Sequence, residues 1–277
     1  MVCKFASMKK KPHFRTIVIS DLHLGTNGSK AKEVTHFLKQ YKCNRLILNG
    51  DIIDGWQLKK YGTWKRRHTA FFKTVLKMME DYRTKVIYIR GNHDDFLEQI
   101  MPLRLGKYFQ IRKDYILKSN DKKYYVTHGD VFDSITTNMK WLAYLGDTGY
   151  TFLLWVNRLY NNYRHWQGLP YYSLSQVVKQ RVKAAVNYVS DFEEKLTELA
   201  KSRNCDGIIC GHIHQPAIRE IDGLTYMNSG DWVESLSALV EDHDGNWMLM
   251  YYNEAQMSAS EEPTVSAFFG VKERIAS

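Results

Sequence analysis

The sequence predicts an α/β fold carrying a helical insertion, on three observations. Short β-rich apolar runs alternate with stretches of helical periodicity in the first hundred residues. Five of the runs end in polar residues able to bind a metal ion, each with a glycine close by. The alternation then breaks between residues 134 and 203, where aromatic and helical character takes over. Alternating strand and helix builds a sheet covered by helices, and the period of the apolar residues distinguishes the two element types.

The expected strands are residues 15–20 (RTIVIS), 45–50 (RLILNG), 85–90 (KVIYIR), 123–128 (KYYVTH), 207–212 (GIICGH) and 224–228 (LTYMN). Each is a short apolar run rich in β-branched or aromatic residues, as buried strands are. Between the first two, Val34, Phe37, Leu38 and Tyr41 recur at helical spacing; between the second and third, Phe71, Phe72, Val75, Leu76 and Met79 form another stripe. A long helix is expected from about residue 174 to 203. No repeat, low-complexity tract or linker is evident, so the chain divides into a core of residues 15–133 and 204–253, a helical cap inserted at 134–203, and a tail at 254–277. The tail is rich in Ala, Ser and Glu, with a small apolar cluster at 265–271, and is expected to be loosely held.

With 277 residues, 44% apolar and 25% charged, the chain has ordinary globular composition, which excludes a disordered protein. Its net charge of +9 favours anionic partners such as phosphate esters, nucleic acid or acidic lipid surfaces. Cys3, Cys43, Cys205 and Cys210 lack the spacing of a disulfide framework or zinc finger, which points to a reducing compartment. The basic N-terminus runs into Arg15 without the apolar stretch of a signal peptide, so a cytoplasmic protein is expected. The most apolar window, 142–156, is interrupted by Asp147 and falls short of the roughly 20 residues that span a bilayer; any membrane contact is therefore expected to be peripheral.

The chemistry lies at the strand ends. Asp21 and His23 follow the first strand, Asp51 the second, and Asn92 and His93 the third, while His128 ends the fourth and His212 and His214 the fifth. In an α/β sheet ligands gather outside the carboxyl ends of the strands, so these residues are expected to become neighbours. Gly25, Gly50, Gly91, Gly129 and Gly211 stand where the chain must turn sharply out of a strand. Carboxylate, amide and imidazole donors without thiolate suit a borderline-hard divalent ion, Mn²⁺, Fe²⁺ or Zn²⁺. Seven such donors exceed what one ion needs, whereas two ions sharing a carboxylate use them, a device that clamps both oxygens of a phosphoryl displacement.

In this order, D-x-H, G-D, G-N-H-D, H-G-D and G-H-x-H resemble the motifs of the calcineurin-like metallophosphoesterases, over residues 15 to about 232. Within them the chain is most similar to the bacterial UDP-2,3-diacylglucosamine pyrophosphatase group, which also inserts helices between H-G-D and G-H-x-H. The resemblance implies a two-sheet αββα sandwich. It also implies Asp21, His23 and His214 on one ion, Asn92, His128 and His212 on the other, and Asp51 bridging, with Mn²⁺ the foremost metal. A hydroxide held between the ions would attack phosphorus, and His93 would stabilise the transition state or protonate the leaving oxygen, oriented by Asp54 or Asp95. The well-studied members of the pyrophosphatase group carry Arg where this chain has His93, the residue usual in the wider superfamily. The implied reaction is hydrolysis of UDP-2,3-diacylglucosamine or a related nucleotide-activated lipid to UMP and lipid phosphate, near the inner face of a membrane. The alternatives are a phosphodiesterase or nuclease acting on soluble substrates, and a non-catalytic interaction module; nucleic acid is the less favoured partner.

Two basic regions remain. Residues 55–79 contain Lys59, Lys60, Lys65, Arg66, Arg67, Lys73 and Lys77 without an acidic residue. Lys65, Arg66 and Arg67 are candidates for substrate phosphate, with Trp56 and Trp64 either covering the site or packing. In the cap, Trp141, Leu142, Tyr144, Leu145, Tyr150, Phe152, Leu153, Leu154 and Trp155 form a dense apolar stretch. Lys140, Arg158, Arg164, Lys179, Arg181 and Lys183 accompany it. This composition fits either an acyl-chain groove edged by head-group contacts, with Lys179, Arg181 and Lys183 at the substrate, or the cap's own core. His13, His36, His68, His165 and His243 match no motif and are read as structural. Nothing in the sequence singles out an oligomeric state.

Overall fold

The computed structural model describes residues 11–131, 147–168 and 174–253, and within the helices it leaves undescribed the side chains of 147–155, 157 and 174–187. Lys140, Trp141, Leu142, Tyr144 and Leu145 lie outside the described residues, as do the tail and the side chains of Tyr150, Phe152, Leu153, Leu154, Trp155, Lys179, Arg181 and Lys183.

The chain forms two mixed sheets. β1 (His13–Ile19), β2 (Lys42–Asn49), β3 (Lys85–Ile89) and β5 (Phe109–Arg112) run parallel in the first. β4 (Leu103–Leu105), β11 (Ser237–Glu241) and β12 (Trp247–Tyr251) complete it antiparallel, in the order β12-β11-β1-β2-β3-β5-β4. The second sheet has the order β6-β7-β8-β10-β9, built from β6 (Asp114–Ser119), β7 (Lys122–Thr127), β8 (Gly207–Cys210), β9 (Ala217–Ile221) and β10 (Leu224–Asn228). The six expected strands agree to within a few residues; the others were not foreseen because they are short, like Leu103–Leu105, or end in charge, like the five-residue β11 with its terminal Glu241. That carboxylate is fully buried and accepts hydrogen bonds from the hydroxyls of Thr16 and Ser119, which is how a charge is tolerated inside.

Three apolar layers hold the sheets between helices. α1 (Ala31–Gln40) and α3 (Arg66–Tyr82) cover the outer face of the first sheet, with Val34, Phe37, Leu38, Phe71, Val75 and Met78 against Ile17, Ile19, Leu46, Leu48, Val86 and Tyr88. The expected stripes are modified at two places: Tyr41 is buried but sits just beyond α1 in extended backbone, and Leu76 is exposed. The stripe actually used on α3, Phe71, Val75, Met78, follows i, i+4, i+7 and leaves Leu76 on the solvent side. Between the sheets lie Val18, Ile47, Ile87, Ile89 and Leu239 against Leu117, Val126, Ile209 and Met227. The outer face of the second sheet is covered by α5 (Leu174–Ser202), through Phe192, Leu196 and Ala200 on Tyr125, Ile208 and Tyr226. The last turns of α5 are therefore the fourth layer of the αββα sandwich, and the insertion gives way to the core before residue 203. α4 (Asp147–Trp166) falls within the span 134–203 expected to form a cap, and the seven-residue α2 (Gly55–Tyr61), also not foreseen, follows β2.

Candidate metal centre

Parallel strands in both sheets deliver their carboxyl ends to one place. β1, β2 and β3 bring Asp21, His23, Asp51, Asn92 and His93 from the first sheet, while β7 and β8 bring His128, His212 and His214 from the second. Crossing the gap between sheets needs unusual backbone: Asp21, His23, Asp51, His212 and His214 all have positive φ, between 47° and 70°. Such conformations cost non-glycine residues free energy and cluster where surrounding structure overrules them at functional sites. Here the loops are pinned to one another. The amide of His23 donates to Asp51 O at 2.9 Å, that of His93 to Asp51 Oδ1 at 2.8 Å, and that of His212 to Asp21 Oδ2 at 3.0 Å. Two glycines permit the closeness: a Cβ on Gly91 would collide with Asp51, and one on Gly211 would lie 2.5 Å from Ser20 Oγ and 2.6 Å from Asp21 Oδ2.

Two groups of ligating atoms result, Asp21, His23 and His214 in one and Asp51, His128 and His212 in the other, each with its atoms within 4.8 Å of one another. Asp51 stands between them. Its Oδ2 is 3.4 Å from His128 Nε2, 3.9 Å from His23 Nε2 and 4.0 Å from His93 Nε2. Burial by itself would raise the Asp51 carboxyl, but the imidazoles of His128 and His23 outweigh it and hold the group well below the usual carboxylate range. Asp21 behaves in the same way, its burial outweighed by His214 and His128. The His128 ring is fully buried, which opposes protonation, yet Asp51 and Asp21 push its pKa well above the ordinary value.

These residues fit a pair of divalent ions. Asn92 Oδ1, His23 Nε2 and His128 Nε2 are buried without a hydrogen-bond partner, a costly state for polar atoms unless a cation meets them. His128 Nδ1 lies 2.9 Å from Asn49 O. A carbonyl only accepts, so Nδ1 must donate, and Nε2 is left as the ring atom facing Asp51.

His93 belongs to a third cluster with His23 and Asp54. Its Nδ1 lies 3.1 Å from Asp54 Oδ2, whereas Asp95 instead faces the indole nitrogen of Trp56 at 3.5 Å. Asp54 also caps α2 by accepting from the Gln57 amide at 2.8 Å; burial opposes its ionisation, but His23 and His93 hold the carboxyl low. The Trp56 ring lies 4.4 Å from that of His93 and is half-exposed, so it covers the site's edge. Trp64 packs instead on His68 and donates to Thr69 at 2.9 Å.

Asp94, in the motif but without an expected role, is the main residue that spacing alone did not reveal. Fully buried, it accepts from the Gly91 amide at 2.5 Å, the Tyr88 hydroxyl at 2.7 Å and the Ile52 amide at 3.0 Å, and so locks the Asn92 loop to the Asp51 loop. Burial and the nearby Asp51 raise its pKa to about 6. The one signal available in sequence was the acid two residues after Asn92. Phe192 was likewise not foreseen; from α5 it stacks on His212 with ring centroids 6.1 Å apart.

The basic candidates separate. Lys65 Nζ donates to Asn27 Oδ1 at 2.8 Å and so reaches the loop that follows Asp21 and His23. Arg66 is exposed, and Arg67 lines a cleft of about 420 Å³ shared with Asn27, Lys32, Glu33 and Glu234. His13, His36 and His68 have structural partners in Asn44, Tyr252 and the Lys65 amide. No described helix is long and apolar enough to cross a membrane.

The chain is similar to several known proteins. The UDP-2,3-diacylglucosamine hydrolase of Blochmanniella pennsylvanica (strain BPEN) is 24% identical over 220 residues, which cover 74% of this chain and 81% of that protein. Among solved structures, YfcE, a phosphoesterase from E. coli, is 16% identical over 86% of this chain and 99% of its own, with a TM-score of 0.41. A Vps29 variant from Entamoeba histolytica is 11% identical with the same coverages and a TM-score of 0.41. The family profile described as calcineurin-like phosphoesterase matches residues 14–216, which takes in both groups of ligating residues and their strands. With most of its length matched and Asp, Asn and His side chains converging from five strand ends, the chain belongs to the calcineurin-like phosphoesterases, a family of metal-dependent phosphoester hydrolases.

Proposed function

We propose that the protein hydrolyses the phosphoanhydride of UDP-2,3-diacylglucosamine or a related nucleotide-activated lipid, releasing UMP and a lipid phosphate. The observation that carries the hydrolytic reading is the placement of Asp51 Oδ2 between the two ligand groups, within 3.4 Å of His128 Nε2 and 3.9 Å of His23 Nε2. Asp21, His23 and His214 would hold one divalent ion, Asn92, His128 and His212 the other, and Asp51 would be shared, with Mn²⁺ the first choice and Fe²⁺ or Zn²⁺ alternatives. Ions bound there would lower the pKa of water toward neutrality and offset charge on phosphoryl oxygens.

The chain's own residues supply orientation and a proton. Asp54 faces His93 Nδ1, which leaves Nε2 on the side of Asp51, 4.0 Å from its Oδ2. In the imidazolium form the ring carries its second proton on Nε2, and that proton is the one available to the leaving oxygen. Trp56 shields one side of that imidazole from water. Asp94 keeps the Asn92 and Asp51 loops in register, and Gly91 lets them approach.

The lipid part of the reading rests on the likeness to the Blochmanniella enzyme and on the rim of the site. There Trp56 and Phe96 expose aromatic surface, and α2, which carries Trp56, also carries the exposed Lys59 and Lys60. Aromatic and cationic side chains together suit the interface of an anionic membrane, where such a substrate resides. The test is to incubate Mn²⁺-loaded protein with UDP-2,3-diacylglucosamine in mild detergent and follow UMP, with Asp51→Ala as control. UMP release that the variant lacks supports the proposal. No release, alongside activity on bis(p-nitrophenyl) phosphate, keeps the hydrolytic centre and rejects the lipid substrate in favour of a soluble phosphodiester.

A further inference from the structure

The seven-stranded sheet is wider than the sheet packed on it, and the uncovered part is cationic. The apolar layer between the sheets draws on β3 and β6 but on no residue of β4 or β5. On β3, Ile87 and Ile89 face that layer, while Val86 and Tyr88 face the helices. Register pairs Ile87 with Gln110 and Ile89 with Arg112 on β5, and Gln110 with Arg104 on β4. Side chains alternate along strands, so Lys85, Gln110, Arg112 and Arg104 share the inter-sheet face beyond the point where the second sheet ends.

These residues, with Lys107 from the β4–β5 turn and Tyr115 from β6, line a cleft of about 670 Å³. No carboxylate is among the described residues lining it, and none of its four cations has a carboxylate partner among the described residues. Arg112 Nε is buried without a hydrogen-bond partner. By contrast, Arg90 pairs with Asp130 and Glu98, and Arg15 with Glu241. An overhanging sheet face is ordinarily covered or given mixed charge, whereas this one gathers like charges around a hollow of ligand size.

We propose that this cleft binds a nucleoside polyphosphate, separately from the metal centre. Four cations match the charge of a triphosphate, and guanidinium groups such as those of Arg104 and Arg112 hold phosphate oxygens in bidentate fashion. The volume exceeds that of inorganic phosphate and leaves room for a nucleoside beside Tyr115.

The test uses the full chain stripped of metal with EDTA and titrated with ATP by calorimetry, so that neither hydrolysis nor coordination contributes. One equivalent is expected to bind, with affinity falling about tenfold or more in the Arg104→Gln/Arg112→Gln variant, each charged hydrogen bond lost being of that order. Asp51→Asn is expected to bind ATP as the wild type does. Circular dichroism checks the fold of the double variant. If it is unfolded, Arg104→Gln/Lys107→Gln, confined to exposed positions, takes its place. Absence of binding, binding indifferent to the cleft variants, or an equal loss with Asp51→Asn would each overturn the proposal. So would binding of a single-stranded oligonucleotide in the absence of mononucleotide binding, which would make the face a nucleic-acid surface.

Discussion

Replacing Asp94 with Asn tests whether the ligand loops are held in place by a residue that would itself touch no metal. The carboxylate accepts from three donors: the Gly91 amide on Oδ1, and the Ile52 amide and Tyr88 hydroxyl on Oδ2. Asparagine offers one acceptor oxygen. Placed at Oδ2 it keeps Ile52 and Tyr88, but its amide then confronts the Gly91 N–H, donor against donor. One buried backbone donor without a partner costs about 1–3 kcal/mol. For a chain of this size that lowers Tm by about 2–4 °C per kcal/mol. Gly91 directly precedes Asn92, so the same displacement moves a ligand: the Mn²⁺ concentration giving half-maximal hydrolysis of bis(p-nitrophenyl) phosphate should rise about 10- to 100-fold, as for other residues that orient metal ligands. Saturating Mn²⁺ should restore much of the rate. An unchanged metal dependence together with an unchanged Tm would refute the reasoning, because it would mean the two loops hold their register without Asp94.

Four further outcomes are expected. Asp51→Ala should abolish turnover while far-ultraviolet circular dichroism stays native, and surviving hydrolysis would rule out the shared-carboxylate arrangement. His93→Gln and Asp54→Asn should each lower kcat by about 10²- to 10⁴-fold with bound Mn²⁺ unchanged by elemental analysis; loss of metal instead would make His93 a ligand rather than a proton donor. In alkali, burial pushes the Cys43 and Cys210 thiols up to about 12, so the folded state holds their protons longer than the unfolded chain does. Their contribution to stability is whole below about pH 9 and is lost as pH rises toward 12, giving a Tm that falls through that window. Iodoacetamide at pH 8.5 should leave both thiols unmodified until the protein is denatured, and rapid native-state alkylation would contradict their burial.

The residues that converge were legible in sequence because each follows an apolar run short enough to be a strand, and strand order sends such ends to one edge. The alternating helices were legible from Val34, Phe37, Leu38 and from Phe71, Val75, since burial on one side imposes their spacing. β4, β5 and β9 escaped because short or half-exposed strands carry little periodic apolar signal. α5 read as part of an insertion, yet its last turns pack on the core. Periodicity reports that a helix has an apolar side without saying what lies against it.

The order of motifs along the chain determined the family, the α/β class and which side chains can ligate, since donor chemistry and strand-end position are properties of residues and local pattern. Tertiary structure alone decided that the donors arrive from two different sheets, that Asp54 rather than Asp95 faces His93, that Asp94 ties the loops together, and that three cations on an overhanging sheet face meet a fourth from the adjoining turn. Each of these depends on distances between residues far apart in the chain or on different loops. Such distances are set by how whole layers pack, which no local pattern encodes.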